Sequence, residues 1–141
     1  MSAPQRAAVA AEALAWIGTP YHHHARIKGV GVDCAQLLIA VFAECGLIPR
    51  IETGQYPVDW HMHRSEEVFS RWVAQFAHPA SGPALPGDVV LWRFGRTFSH
   101  GSICVGPGLF VHSYIDRGVI LSRATDEPLD GRVLQHWSFW K

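Results

Sequence analysis

Cys34, His100 and His112 are residues of the types that together carry out nucleophilic catalysis. Cys34 stands between a glycine-rich loop and an apolar run, in the stretch 29–38, "GVGVDCAQLL". If a helix begins there, its free N–H groups and the positive end of its dipole favour the thiolate over the thiol. The N–H of Cys34 would also be free to donate to a developing oxyanion. The alternative is a small buried side chain at the start of a core helix, which is the usual place of a cysteine.

The two histidines fall in consecutive predicted strands, which are joined by a turn at residues 106–108. In an antiparallel hairpin with that loop, His100 and His112 lie either directly opposite each other or diagonally. In both registers they share one face and lie within side-chain reach. Such a pair can supply a base and the partner that orients it, if a nucleophile is nearby. The alternative is a pair of half-exposed strand histidines, which is common in a chain with nine of them.

The other histidines and cysteines are less informative. Residues 22–24 are all histidine, and His61 and His63 stand one residue apart, so a zinc site has to be considered. Adjacent residues of an extended loop point in different directions, however, and no CxxC or HExxH pattern accompanies them. We therefore predict no metal and no cofactor. Cys45 and Cys104 lie within apolar runs and are predicted to be structural, since three cysteines are too few for a disulfide framework.

Composition limits the class of protein. The chain has 141 residues, 48% hydrophobic and 17% charged, as expected for one soluble globular domain over residues 1–141. Twelve basic and twelve acidic residues cancel without forming a basic run, which argues against nucleic-acid binding. No segment approaches the about 18 apolar residues of a membrane-spanning helix. Arg6 and Glu12 interrupt the alanine-rich N-terminus, which we interpret as an amphipathic helix rather than a signal peptide.

Helices are predicted first and strands afterwards. The helices are expected from a capping box at Ser2 and Gln5 to Gly18, from Asp33 or Cys34 to Cys45, and from a cap at Ser65 to Phe76, with residues 47–64 irregular. Asp33 suits the N-cap of the second helix, and Gly46 suits the position after its end. Beyond a Pro/Gly-rich linker, β-rich runs cover residues 88–94, 100–105, 109–114, 118–123 and 132–140. This order predicts an α+β fold with a largely antiparallel sheet.

A series of motifs in fixed order resembles a known family. The segments "GTPY", "GVDC", "PGDVV", "SHGSICVG" and "VHS", between Ala8 and Val119, resemble the NlpC-type cell-wall cysteine peptidases. These are circularly permuted relatives of papain that cut the peptide stems of bacterial peptidoglycan. The resemblance implies a papain-like fold, in which N-terminal helices pack on a mainly antiparallel sheet and the cysteine begins a helix.

The resemblance also implies roles for particular residues. Cys34 corresponds to the nucleophile, His100 to the general base and His112 to the polar residue that orients the base. Tyr21, in "GTPY", corresponds to a tyrosine that approaches the oxyanion or the substrate.

Two neighbours of these residues are assigned to the substrate. Asp33 precedes the nucleophile and Ser99 precedes the base, and both are expected to contact the peptide. The family signature Asp-Cys-Ser-Gly is altered, because Ala35 and Gln36 stand where Ser-Gly is usual. This departure puts the cleavage site in question more than the chemistry.

A narrower resemblance concerns the segments 22–42, "HHHARIKGVGVDCAQLLIAVF", and 56–67, "YPVDWHMHRSEE". They resemble NlpC-type proteins of tailed-phage and gene-transfer-agent tails. This implies assembly in the bacterial cytoplasm, a place in the virion tail, and action on the cell wall. The implied partners are a peptidoglycan peptide and other tail-tip or hub proteins.

Three functions are consistent with the sequence. The first is a cysteine endopeptidase with a Cys-His-His triad, which hydrolyses stem peptides at the γ-D-glutamyl–diaminopimelate bond. The second is a tail-tip assembly or interaction protein in which catalysis is lost or weak. Ala35-Gln36 and the tryptophans Trp60, Trp137 and Trp140 favour this second function, and the intact triad opposes it. The third is amide hydrolysis or acyl transfer on another substrate.

Overall fold

The computed structural model describes residues 3–49 and 68–140. Its helices are α1 (Ala3–Ala15), α2 (Cys34–Glu44) and α3 (Val68–Val73). Its strands are β1 (Arg26–Ile27), β2 (Gly31–Val32), β3 (His78–Pro79), β4 (Val89–Phe94), β5 (Thr97–Gly106), β6 (Leu109–Tyr114), β7 (Gly118–Arg123) and β8 (Leu134–Ser138). The predicted α+β fold is confirmed. The expected caps at Ser2 and Ser65, most of the irregular segment 47–64, and His61, His63 and Trp60 lie outside the described residues.

Helix α2 is the central helix of the core. The carboxylate of Asp33 accepts a hydrogen bond of 2.9 Å from the backbone N–H of Gln36, so the predicted N-cap is confirmed and the helix begins at Cys34. Past its end, Gly46 has the left-handed φ of +76° that the predicted C-terminal position requires. The helix is apolar on almost all sides, which is typical of a helix enclosed by other elements. Its fully buried side chains include Leu37, Leu38, Ile39, Val41 and Phe42.

Helix α1 packs against α2 and β5 through Val9 and Ala13. It ends at Ala15, three residues before Gly18, because the chain then turns to bring Trp16 into the core. An ion pair also joins this helix to the sheet. The guanidinium of Arg6 lies 2.8 Å from the buried carboxylate of Asp88, directly before β4.

The main sheet has six strands in the order β3-β8-β4-β5-β6-β7, and every neighbouring pair is antiparallel. Both of its faces carry apolar clusters, which explains why β4 is an almost continuous apolar run and why β5 is buried along nearly its whole length. Val89, Leu91, Ile103 and Val111 pack with the helices. The second cluster consists of Val90, Trp92, Phe94, Cys104, Phe110 and Leu129. Among the described residues, no helix has both the length and the apolar character needed to cross a membrane.

The sequence missed the shortest strands. Strands β1 and β2 form a separate two-stranded sheet inside the predicted loop before Cys34, and β3 lies in the predicted linker and pairs with β8. Elements of two residues have no measurable periodicity, so only tertiary pairing reveals them. β5 begins at Thr97, three residues earlier than predicted, and its pairing with β4 is irregular between Trp92 and Arg93.

Candidate active site

The hairpin β5–β6 brings His100 and His112 together. Its register pairs Ile103 with Val111 and Cys104 with Phe110, so the two histidines are diagonal neighbours, the second of the two predicted arrangements. Nε2 of His100 lies 2.8 Å from Nδ1 of His112, and the two rings meet nearly at right angles. Both side chains are buried. The structure therefore shows one histidine holding the ring of the other.

The hydrogen-bond chain continues to a residue that the sequence did not single out. Nε2 of His112 lies 2.8 Å from the hydroxyl of Ser122 on β7, and Ser122 is buried. The register of β6 and β7 pairs His112 with Ile120, which makes Ser122 the diagonal neighbour of His112. Knowledge of that register would have identified Ser122, but the sequence does not fix it.

His112 is neutral at neutral pH. Burial, and secondarily the positive charge of Arg117, lowers the pKa of His112 from 6.5 to about 4. A neutral imidazole has one N–H donor and one acceptor nitrogen, so it can accept from His100 and donate onward. Because Nε2 of His100 is hydrogen-bonded to His112, Nδ1 is the nitrogen of His100 that can take a proton from a thiol.

Cys34 lies against the backbone on both sides of His100. Its Sγ is 3.7 Å from the carbonyl oxygen of Ser99, to which the thiol donates. The backbone N–H groups of Gly101, Ala35 and Cys34 itself lower the pKa of the sulfur by hydrogen bonding. The structure thus places the first residue of α2 beside the segment that carries the predicted base.

The helix start favours the thiolate of Cys34, as expected, but burial outweighs this effect in the resting protein. Cys34 is only 8% exposed, and burial, followed by the negative charge of Asp33, raises the pKa of its thiol to about 12. Desolvation of the anion outweighs the backbone donors at the helix terminus. Deprotonation of Cys34 therefore requires a base that acts during the attack on the substrate.

Tyr21 belongs to the same group of side chains. Its backbone pairs with Val32, directly before the start of α2, through hydrogen bonds on either side of the tyrosine. Burial, and then the charges of Cys34 and Asp33, raises the pKa of the Tyr21 phenol well above its ordinary value. Tyr21 consequently keeps its O–H proton and can act as a hydrogen-bond donor.

Asp33 and Ser99, the predicted substrate contacts, differ in how they are bonded. The Asp33 carboxylate is buried and accepts from the N–H groups of Gln36 and His24, so it holds the helix start and the preceding loop in place. The hydroxyl of Ser99 is buried and has no hydrogen-bond partner among the described residues. Contact of either residue with a substrate stays a prediction.

Residues predicted to be structural lie apart from this group. Cys104 is buried and its thiol donates to the carbonyl of Gly106 over 3.1 Å, and Cys45 is half-buried at the C-terminal end of α2, the end opposite Cys34. Over residues 3–49 and 68–140, no group of three or more metal-ligating side chains comes together. Ala35 and Gln36 are both buried in the first turn of α2.

Two cavities are lined by residues that neighbour the site in sequence or space. One of about 520 Å³ is lined by Tyr21 and Arg117, among others. The other, of about 620 Å³, is lined by residues that include Tyr114 and Arg132. The ring of Tyr114 lies 5.7 Å from that of His100, so the second cavity is one side chain away from the base.

Comparison with known proteins places this geometry in a family context. A family model described as "NlpC/P60 family" matches residues 18–138. The NlpC/p60 domain of the peptidoglycan hydrolase SagA superposes with a TM-score of 0.59 at 21% identity, over 92% of this chain and 96% of that one. NlpC2 from Trichomonas vaginalis gives a TM-score of 0.62 at 14% identity, covering 95% of this chain and 47% of that one.

A Staphylococcus aureus protein described as similar to lipoprotein, of the NLP/P60 family, gives a TM-score of 0.63 at 17% identity. The match covers 96% of this chain and 42% of that one, so this chain spans less than half of the last two proteins. At identities this low, the superpositions show that the fold is shared and no more. No curated protein matches the sequence.

Proposed function

This chain belongs to the NlpC/P60 family, and from that premise we propose that it is a cysteine endopeptidase acting on the stem peptides of peptidoglycan. The observation that carries the proposal is the position of the Cys34 sulfur, against the strand segment that holds a hydrogen-bonded His100–His112 pair. The similar SagA domain comes from a protein named as a peptidoglycan hydrolase, which supports the substrate class.

In the proposed mechanism, Cys34 attacks the carbonyl carbon of the scissile bond while Nδ1 of His100 takes the thiol proton. The raised pKa of Cys34 makes this transfer necessary, because almost no thiolate exists at neutral pH beforehand. His100 then gives the proton to the leaving amine, and the thioester forms. His100 next activates water, which hydrolyses the thioester.

His112 and the oxyanion donors assist without exchanging protons with the substrate. Nδ1 of His112 accepts from Nε2–H of His100, which keeps the proton-accepting nitrogen directed at the thiol. The N–H of Cys34 and the O–H of Tyr21 donate to the oxyanion of the tetrahedral intermediate.

We assign the γ-D-glutamyl–diaminopimelate bond as the bond cleaved. The support is the resemblance to NlpC-type peptidases, which favour this bond. The cavity that Tyr21 lines carries both Arg117 and Asp116, so its charges do not by themselves select the bond. Since Ala35 and Gln36 are buried, they alter the packing behind the nucleophile rather than the substrate-facing surface. The change at this signature therefore does not argue against the assigned bond.

The test is mass spectrometry of defined muropeptides incubated with wild type and with Cys34→Ala. We expect a product cut after γ-D-glutamate with wild type and none with the variant. Cys45→Ser serves as the matched control, because it removes a different thiol and should leave the product unchanged. Equal cleavage by Cys34→Ala and wild type would refute the peptidase. Absence of cleavage in all proteins would favour the alternative of an assembly protein on the same fold.

We further propose that the protein acts as a component of a phage or gene-transfer-agent tail. The support is the resemblance of segments 22–42 and 56–67 to tail-associated NlpC-type proteins. Mass spectrometry of purified particles tests this assignment. Peptides of this chain at a constant ratio to tail proteins are expected, and their absence from particles of a producing strain would contradict it.

A further inference from the structure

We propose that Ser122 is a positioning residue, which holds His112 in the tautomer that His100 needs in order to act as a base. The catalytic part of this inference rests on the proposed peptidase function, whereas the tautomer itself can be observed without any substrate.

The geometry is a chain of three buried side chains on neighbouring strands. Nε2 of His100 and Nδ1 of His112 are 2.8 Å apart, and Nε2 of His112 and Oγ of Ser122 are also 2.8 Å apart. All three side chains are at most 6% exposed, so water does not substitute readily for any member. Both ring nitrogens of His112 are thus occupied, one by the base and the other by the serine.

Only one tautomer of His112 is productive. If its proton is on Nδ1, His112 donates to Nε2 of His100, and the proton of neutral His100 must then reside on Nδ1. His100 would have no lone pair for the thiol. If the proton is on Nε2, His112 accepts from His100 and donates to Ser122, which leaves Nδ1 of His100 able to take the proton of Cys34.

The productive form is also the only one that tolerates a protonated His100. Imidazolium carries N–H on both nitrogens, so Nδ1 of His112 has to be an acceptor when His100 has taken the thiol proton. In this state the N–H of His112 is committed to Nε2, and Ser122 supplies its acceptor. A buried N–H without an acceptor is rare in folded proteins because it is costly. The hydroxyl of Ser122 is needed most when His100 is charged, because His112 cannot then move its proton to Nδ1.

Serine supplies this acceptor without adding a charge. A carboxylate at the same position would raise the pKa of His112, but burial and Arg117 hold that pKa at about 4. Because the hydroxyl is uncharged, His112 remains neutral and can accept from His100 while it donates to Ser122. The hydroxyl of Ser122 bonds His112, so we expect Ser122 to act on the reaction through His112.

The experiment compares Ser122→Ala and Ser122→Thr with wild type in protein labelled with ¹⁵N at histidine. Two-bond ¹H–¹⁵N spectra report which nitrogen of His112 carries the proton. We expect Nε2–H in wild type and in Ser122→Thr, and a shift to Nδ1–H in Ser122→Ala. On muropeptide, Ser122→Ala should lose about 10- to 100-fold in kcat with KM unchanged, because loss of one buried hydrogen bond leaves most of the variant in the tautomer of His112 that blocks proton transfer to His100. Threonine should restore most of this loss.

Ser102→Ala is the matched control. Ser102 is a buried serine of β5 whose hydroxyl accepts a hydrogen bond from Trp92 and donates one to the carbonyl of Val90. It takes no part in the hydrogen-bond chain of His100, His112 and Ser122. The variant should destabilise the protein without changing the tautomer of His112. Retention of Nε2–H in Ser122→Ala, or equal losses of kcat in Ser122→Ala and Ser102→Ala, would overturn the proposal. If wild type cleaves no muropeptide, the peptidase fails, and the spectra still decide the tautomer.

Discussion

Gly118→Ala should damage both stability and activity, because the start of β7 lies against the loop that carries Tyr21. Gly118 has a φ of +76°, and a Cβ there would collide with the backbone carbonyl of Thr19 and lie 3.1 Å from Cα of Pro20. Two hydrogen bonds hold the same contact, from Val119 N–H to Thr19 and from Gly18 N–H to Val119. The added methyl therefore meets the backbone of Thr19 and Pro20, which cannot move aside as a flexible side chain would.

The magnitude follows from two separate costs. An alanine in the left-handed region costs about 1–2 kcal/mol. Forcing a methyl group into packed backbone adds about 1–3 kcal/mol. Gly46→Ala is the matched control, because Gly46 has the same φ of +76° and no atom within 4 Å of the added Cβ. We expect the free energy of unfolding to fall by about 2–5 kcal/mol in Gly118→Ala and by only the first cost in Gly46→Ala.

The activity should separate the two variants further. Displacing Thr19 and Pro20 moves Tyr21, and a misplacement of about 1 Å near reacting groups can cost about 10²-fold in rate. Urea unfolding and kcat/KM on a muropeptide measure the two effects. Equal losses of stability and of kcat/KM in the two variants would refute the reasoning, because only Gly118 adjoins the Tyr21 loop.

Three other perturbations test the electrostatics of the site. The alkylation rate of Cys34 by iodoacetamide should be low at pH 7 and keep rising above pH 9, since its raised pKa leaves little thiolate; a plateau reached below pH 8.5 would contradict this. Tyr21→Phe should lower kcat on muropeptide by about 10²–10³-fold, as for other oxyanion donors, and an unchanged kcat would remove Tyr21 from that role. Arg117→Gln should raise the pKa of His112 towards 6.5, so activity on acidification is lost at a higher pH than in wild type. Arg117→Lys keeps the charge and should keep the wild-type profile, and NMR titration of His112 that shows no difference between the two variants would exclude the effect.

Local signals determined what could be predicted at the nucleophile. Asp33, Gln36 and Gly46 are short-range capping residues, and they located both ends of α2 to within a residue. The two registers possible for the predicted hairpin both placed His100 and His112 on one face, because a single short turn sets the register. These features depend on few residues that are close in sequence.

The missed features depend on tertiary structure. Ser122 joins the site only through the β6–β7 register, and nothing near residue 122 distinguishes it from other serines. The raised pKa of Cys34 results from burial by the sheet, whereas the helix start that the sequence revealed acts in the opposite direction. A sequence motif identifies the reacting atom more readily than its protonation state, because desolvation is a property of the whole fold.

The burial of the thiols also affects how fast the cysteines react with oxidants. Peroxide attacks thiolates far faster than thiols, so resistance to sulfenic acid formation increases as the thiol pKa rises. Burial raises the pKa of all three cysteines, Cys34, Cys45 and Cys104, and none of them is paired in a disulfide. In the resting protein, Cys34 is therefore expected to react more slowly with peroxide than an exposed cysteine of ordinary pKa.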